Sequence, residues 1–75
     1  MKFKNRTNQP VYVKVFRDGG HVEEGTGKNV GPNATEFFNL PSGKYYLEVY
    51  TNNPPTVPKE VINGVSSSQE VVWNR

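Results

Sequence analysis

Turn-forming residues interrupt this chain so often that they leave no room for long helices. Glycine, proline, asparagine and serine break it roughly every eight to twelve residues, a spacing typical of small all-β domains. The segment PVYVKVFRDGG, residues 10–20, alternates between valine and larger or charged side chains. Apolar side chains at every second position indicate a half-buried strand, whereas a helix would repeat them about every 3.6 residues. The sequence therefore predicts an all-β fold.

The N-terminal half divides into a hairpin and a following strand. The RDGG sequence contains Asp18-Gly19 and Gly19-Gly20, and either pair can supply the positive φ of a hairpin turn. The elements that we expect here are a strand over 11–16 that RDGG ends, a short return strand near HVEEG (21–25), a loop over 26–33 and a strand over 34–40.

The C-terminal half contains a turn, a long strand and a closing hairpin. Pro41 and Gly43 are turn residues before a predicted strand over 44–50. Three prolines keep 51–58 out of a sheet, because proline has no N–H to donate to a neighbouring strand. We predict a strand over about 59–65, a turn at 66–68 and a last strand over 69–74. Asn63-Gly64 is an alternative hairpin turn, which would shift the register of these strands.

Size and composition indicate one small domain. The chain has 75 residues and no cysteine, and His21 is its only histidine. A domain of this size buries only about 60% of its unfolded surface, so its margin of stability is thin. Disulfides are excluded, and neither a zinc site nor another cofactor is expected. We predict a single β-sandwich over residues 1–75, built from about six or seven short, mostly antiparallel strands.

Two stretches of the second half carry a resemblance to known domains. FFNLPSGKYYLEVY (37–50) resembles the F-x-x-L-P-x-G-x-Y-x-L-x-V signature of prealbumin-like domains of the Cna-B and carboxypeptidase-regulatory-like types. KEVINGVSSSQEVVW (59–73) is similar to their closing hairpin, a strand, a Gly/Ser-rich turn and a strand. The resemblance implies a prealbumin-like or immunoglobulin-like sandwich.

The first half is similar to the β domain of the von Hippel–Lindau family. FKNRT (3–7), VYVKVFRDGG (11–20) and VGPNA (30–34) follow the order of that domain's N-R-S segment, its alternating strand ending in F-x-G and its later x-P-G turn. That domain is also a prealbumin-like sandwich, so both resemblances imply the same architecture. Neither implies a function, because one fold serves many activities.

The predicted strands over 10–20 and 44–50 each carry a second face of aromatic and charged residues. Tyr45, Leu47 and Val49 share one face of the later strand and are expected in the core. Rings on the opposite face either pack across strands or form a docking surface, since tyrosine and phenylalanine are frequent interface anchors. The candidate binding residues are Tyr12, Lys14, Phe16, Tyr46 and Tyr50.

The basic residues at the start of the chain have two interpretations. Lys2, Lys4 and Arg6 alternate along one predicted strand face, with Phe3 on the other. Joined to the aromatic face of 10–20, they would form a surface that stacks single-stranded bases. The interpretation that we favour is that lysines on a terminal strand protect an exposed sheet edge from aggregation.

Large apolar residues near the other predicted strands leave two questions open. Val71 and Trp73 share a face of the last strand, opposite Val72, and we favour a core position for the tryptophan over a place in a partner. Which of Phe37 and Phe38 faces inward is undecided, because a bulge would reverse the order.

No motif in the sequence indicates catalysis. His21 reads as a solvated histidine beside a hairpin turn, and the Ser66–Ser68 triplet reads as a turn. GTGKNVG (25–31) lacks the G-x-x-x-x-G-K-[ST] spacing of a phosphate-binding loop. We therefore expect no enzyme.

Charge and hydropathy restrict the partners. The net charge is +2 with a pI near 9.0, and the basic residues are scattered, so nucleic acid is not the expected partner. No apolar run approaches the roughly 20 residues of a membrane helix, and the N-terminus does not resemble a signal peptide. We expect a soluble protein without membrane insertion, located in the cytoplasm or on a virion.

Three hypotheses for function follow. The first is a non-enzymatic protein-binding or assembly module, such as a virion or surface-particle component, that binds another protein or a copy of itself. The second is a module that binds carbohydrate or single-stranded nucleic acid on its aromatic strand face. The third is a small inhibitor that blocks a host enzyme with the loop 21–33 or 51–58.

Overall fold

The computed structural model describes residues 1–20, 22–52 and 54–75, and in these ranges it contains strands and turns without a helix. This confirms the predicted all-β class. The strands are β1 (Lys2–Asn5), β2 (Val11–Arg17), β3 (Lys28–Val30), β4 (Thr35–Phe37), β5 (Lys44–Tyr50), β6 (Glu60–Ser66) and β7 (Glu70–Trp73).

The strands form two sheets that enclose one core. One sheet has the order β4-β1-β7 and the other the order β3-β2-β5-β6. Among the described residues, β1 and β7 pair in parallel, and the other strand pairs are antiparallel. Because side chains of both sheets meet in a single hydrophobic cluster, the architecture is a small β-sandwich, as predicted.

The inward faces follow the alternation of the sequence. Tyr45, Leu47 and Val49 of β5 are fully buried and lie beside the three buried valines of β2. The other sheet contributes Phe3 and Trp73, and Trp73 is only 1% exposed. The preferred core position of the tryptophan is therefore confirmed. The aromatic side chains fill the volume between the sheets that no disulfide spans.

The open question at the two phenylalanines is settled by the edge strand β4. Phe38 follows the strand and is 5% exposed, whereas Phe37 is 63% exposed on the outer side of the sheet. The backbone N–H of Phe38 donates to the carbonyl of Met1, which continues the β1–β4 pairing beyond β4. Phe38 thus closes the core at the end of the sheet.

The prediction of a loop over 26–33 is partly wrong. Lys28–Val30 form β3, which pairs with the start of β2 and buries Val30 completely. Three residues flanked by glycine, proline and asparagine give too short a pattern to distinguish a strand from a loop. Tertiary contact with β2 decides the conformation.

The return segment after β2 is shorter than the predicted strand near 21–25. It makes a single bridge between Phe16 and Glu23, with backbone hydrogen bonds from Arg17 to Val22 and from Glu24 to Val15. Gly19 has a φ of +86° in the turn, as the RDGG sequence predicted. His21 lies outside the described residues.

Asn63-Gly64 is a bulge inside β6 and not a hairpin turn. Tyr45 pairs with Val65 and Leu47 with Ile62, so two residues of β6 stand opposite Tyr46 alone. Gly64 has a φ of +69°, which glycine adopts without strain. The chain turns over 66–69 instead, where Gln69 donates its backbone N–H to the carbonyl of Ser66. The favoured order of a strand, a turn and a last strand is confirmed, but β6 and β7 lie in different sheets, so the predicted closing hairpin is wrong. β7 pairs with β1 and not with β6.

The expectation that the N-terminal strand lies at a sheet edge is wrong. β1 is the central strand of its sheet and pairs with both β4 and β7. Phe3 and Asn5 face the core, so Lys2 and Lys4 lie on the outer face of the three-stranded sheet. The aromatic side chains of β2 lie on the outer face of the other sheet. The basic and aromatic residues therefore do not form one continuous surface.

Asn5 joins the two sheets through its side chain, and no pattern in the sequence predicts this role. Its Nδ2 lies within 3.1 Å of the carbonyl oxygens of Val30 and Gly31 and 2.8 Å from that of Gln9. Its Oδ1 accepts hydrogen bonds from the backbone N–H and the hydroxyl of Thr7. Asn5 is fully buried, and its partners lie on β3 and on the connection from β1 to β2. We call this group of hydrogen bonds the Asn5 clamp.

Replacing Asn5 with alanine is expected to lower the free energy of unfolding by about 3 kcal/mol, because several buried polar groups lose their partner at once. Asn5→Asp should be at least as damaging, since a carboxylate oxygen would then face carbonyl oxygens. Urea denaturation measures both losses. The exposed neighbour Asn8 is the control, and Asn8→Ala should change stability by less than about 0.5 kcal/mol. Equal stability of the Asn5 and Asn8 variants would contradict the role of the clamp.

Candidate functional site

The pairing of β2 with β5 places all five candidate binding residues on one outer surface. Tyr12 stands opposite Tyr50, Lys14 opposite Glu48, and Phe16 opposite Tyr46. These pairs follow one another along the strands, so an acid–base pair lies between two aromatic pairs. We call this surface the aromatic face. Its members are Tyr12, Lys14, Phe16, Tyr46, Glu48 and Tyr50.

Phe16 and Tyr46 form the aromatic pair at one end of this face. Their ring centroids are 5.0 Å apart and their planes are nearly parallel, at 8°. Both side chains are partly exposed, and each ring covers one face of the other. A cross-strand aromatic pair of this kind contributes roughly 0.2–1 kcal/mol to stability. The stacked pair presents an apolar ridge to the surroundings.

Tyr12 and Tyr50 form the second aromatic pair with a different geometry. Their centroids are 6.3 Å apart and the rings meet edge to face at 61°. Lys14 places its Nζ 5.2 Å from the centre of the Tyr50 ring, and the Tyr50 hydroxyl donates to Glu48. Ring, cation and hydrogen-bond contacts thus join Tyr50 to Tyr12, Lys14 and Glu48 at this end of the face.

Tyr50 is the least accessible member of the face, at 6% exposed. It therefore supports its neighbours and offers little ring surface to a ligand. The hydrogen bond to Glu48, burial, and the carboxylates of Glu48 and Glu23 raise the pKa of Tyr50 to about 12 from its ordinary 10.0.

The loop before β3 covers one end of Tyr12. A side chain at Gly27 would place its Cβ within 2.6 Å of the Tyr12 hydroxyl oxygen and ring, so only glycine allows the loop to pass this close. The ring is fixed from this side by the loop and from the other by Tyr50. Packing against these two neighbours therefore fixes the orientation of the Tyr12 ring.

Two lysines give the face its free charge. Lys14 and the exposed Lys44 make no ion pair with any of the described residues. Nearby Arg17 differs, because its Nε lies 2.9 Å from Glu24 Oε1, and this hydrogen bond raises the pKa of the guanidinium. The Glu48 carboxylate already accepts the Tyr50 hydroxyl. Glu48 keeps its negative charge in this hydrogen bond and stands opposite Lys14, so Lys44 supplies the positive charge at the Phe16–Tyr46 end that no ion pair with a described residue balances.

The opposite outer face contains an apolar residue that sequence reasoning left undecided. Phe37 of β4 is exposed beside Lys2, whose Nζ lies 5.7 Å from the ring centre and 3.7 Å from Glu70. The cross-strand register aligns these three side chains in one row. The only sequence signal for this row is the alternation of the flanking residues. We treat the face as secondary, because among the described residues it holds one exposed ring instead of two aromatic pairs.

The serines considered for catalysis lie in the turn between β6 and β7. Ser66 and Ser68 have their hydroxyl oxygens 3.3 Å apart there, as expected of turn residues. Among the described residues, no three His, Cys, Asp or Glu side chains are grouped as a metal site would require. His21 is not among the described residues.

Comparison with protein-family models, with curated proteins and with solved structures finds no match for this chain. In the described ranges no helix has the length and apolar character needed to cross a membrane.

The raised pKa of Tyr50 predicts how stability depends on pH. Because the folded-state pKa of about 12 exceeds the ordinary 10.0, this residue stabilises the fold fully below about pH 10 and loses that contribution as the pH rises through 12. Urea unfolding of the wild type and of Tyr50→Phe should be compared over this interval. The stability of the wild type should fall more steeply than that of the variant, and parallel curves would contradict the assignment.

Proposed function

We propose that this protein is a non-enzymatic protein-binding module whose aromatic face docks onto another protein. The observation that carries the proposal is the stacked pair of Phe16 and Tyr46. This pair stays partly exposed although the core is already closed by Trp73 and Phe38 on other elements. Aromatic side chains at the centre of a polar rim are the usual anchors of protein interfaces.

The chemistry around the pair indicates the kind of partner surface. Lys44 supplies positive charge next to the pair and makes no ion pair with a described residue. Val61 of β6 stands beside Glu48, is 43% exposed, and extends the apolar area. A partner that offers an apolar patch edged by carboxylates would match these groups and would associate faster at low salt.

The size of the domain limits the area that a partner can cover. The two longer dimensions of the domain are 31 and 23 Å, which bounds a broad face at about 700 Å². Standard protein interfaces bury about 800 Å² on each partner. A partner would therefore have to cover the whole broad side of the domain that carries the aromatic face. This favours another folded protein over a short peptide.

We also propose that the sandwich is of the prealbumin-like type, working as a soluble part of a cytoplasmic or virion assembly. An immunoglobulin-like constant sandwich groups its first, second, fourth and fifth strands in one sheet. Here the first strand pairs with the fourth and seventh, and the second lies in the other sheet. This grouping supports the prealbumin-like alternative. The lack of cysteine agrees with a reducing compartment.

A photo-crosslinking amino acid in place of Tyr46 tests the docking surface in cells of the source organism. We expect one defined crosslinked species, because a partner would lie within reach of the stacked pair. Placing the same probe at Phe37, exposed on the opposite outer face, is the matched control and should give severalfold less product. Lys44→Glu should reduce crosslinking at Tyr46 without changing urea stability appreciably, because Lys44 is exposed and makes no ion pair with a described residue.

The identity of the crosslinked species separates a different protein from a second copy of this chain. Sedimentation of the purified protein at several concentrations checks self-association independently. No product at Tyr46, or equal products from both faces, together with a monomer at every concentration, would overturn the proposal.

A further inference from the structure

A cleft lies at the end of the aromatic face that the stacked pair does not occupy. Its volume is about 450 Å³, and it opens where β2 begins and β5 ends. Tyr12 and Tyr50 form one side, and the segment that follows β5 forms the other. This size falls within the range of small-molecule sites, roughly 300–1,000 Å³.

The side chains around the cleft are polar but carry no formal charge. The polar members are Tyr12, Asn29, Tyr50, Thr51 and Asn52, and proline side chains contribute apolar surface. Tyrosine phenols are neutral at physiological pH. A charged ligand would lose hydration here without gaining an ionic partner.

Several of these polar groups have no hydrogen-bond partner among the described residues. These groups are the Asn29 amide, the Thr51 hydroxyl and the Tyr12 hydroxyl. Asn52 uses its Nδ2 to donate to Thr56 at 3.0 Å, which leaves its Oδ1 as an acceptor. The cleft thus offers both donors and acceptors. An entirely apolar ligand would strip water from them and leave them unpaired.

We propose that this cleft binds a neutral saccharide, one or two pyranose rings in size. A pyranose has an apolar C–H surface that fits against the Tyr12 ring and the wall at Pro55. Its rim of hydroxyl groups both donates and accepts, as the side-chain amides of Asn29 and Asn52 do. A neutral sugar needs no ionic partner, which agrees with the uncharged lining of the cleft.

This site goes beyond the proposed docking function and is separable from it. Asn29 lies on β3, two strands away from Tyr46 on β5, so either residue can be changed alone. A glycan carried by a partner protein would use both sites at once, whereas a free sugar would use the cleft only. Each test therefore has its own outcome.

Nuclear magnetic resonance titration of the full chain tests the proposal. The probes are D-glucose, D-galactose, N-acetyl-D-glucosamine and maltose, each up to about 50 mM, because a small open site of this kind is expected to bind with a Kd on the order of 1 mM. At least one probe should shift the backbone amides of Tyr12, Asn29 and Thr51 in a saturable way. Amides of the outer face of the three-stranded sheet should stay in place.

Asn29→Ala should raise the Kd of the responding probe roughly tenfold, because it removes a donor and an acceptor from an exposed position without disturbing the core. Asn39→Ala, exposed and outside the cleft, is the matched control and should bind as the wild type does. Absence of saturable shifts with every probe would overturn the proposal, and so would equal binding by the two variants. If a proline-rich peptide shifts the amides of the cleft and none of the sugars does, the cleft is a peptide site and the saccharide proposal is wrong.

Discussion

The buried amide of Asn5 is the interaction on which the rest of this structure depends. A chain of 75 residues without cysteine has few means of holding two sheets together. Asn5 sits on β1 in one sheet and reaches the carbonyls at the end of β3 in the other. It also fixes Thr7 and Gln9 in the connection that carries the chain between the sheets. The clamp therefore sets where β2 begins and how the two layers face each other.

This arrangement explains why strand β5 can carry rings on both faces. Its inner face, with Tyr45 and Leu47, belongs to a core that the clamp and Trp73 close from the other sheet. Its outer face has no layer above it among the described residues, so Tyr46 stacks on Phe16 instead. The outer rings stabilise the sheet and remain available to a partner. The proposed docking and sugar sites occupy the two ends of the same surface because the strand register separates the aromatic pairs.

Much of the fold could be predicted because alternation and turn chemistry are local. The valines of β2, the inner face of β5 and the turn at Gly19 follow from short sequence patterns. The clustering of the candidate residues on one face also follows from the alternation, provided that β2 and β5 pair, as they do. Whether those residues bind anything stays a prediction.

The remainder depended on contacts that are distant in sequence. The central position of β1 results from its parallel pairing with β7, which joins the two ends of the chain. A three-residue strand such as β3 forms because β2 lies beside it. Asn5 resembled an ordinary surface asparagine, and only the closed sandwich brings the carbonyl of Val30 to its side chain. A bulge at Gly64 and a hairpin turn have the same Asn-Gly signature. Only the pairing of β6 with β5 distinguishes the two.

The most direct measurement of the account is the hydrogen exchange of the Asn5 side-chain amide in a magnetic resonance spectrum. If the amide joins the sheets as described, its two protons should exchange with solvent only through global unfolding, orders of magnitude more slowly than those of the exposed Asn8. Exchange of both side chains at the same fast rate would mean that Asn5 is open to water. The two layers would then have to be held in register by something else.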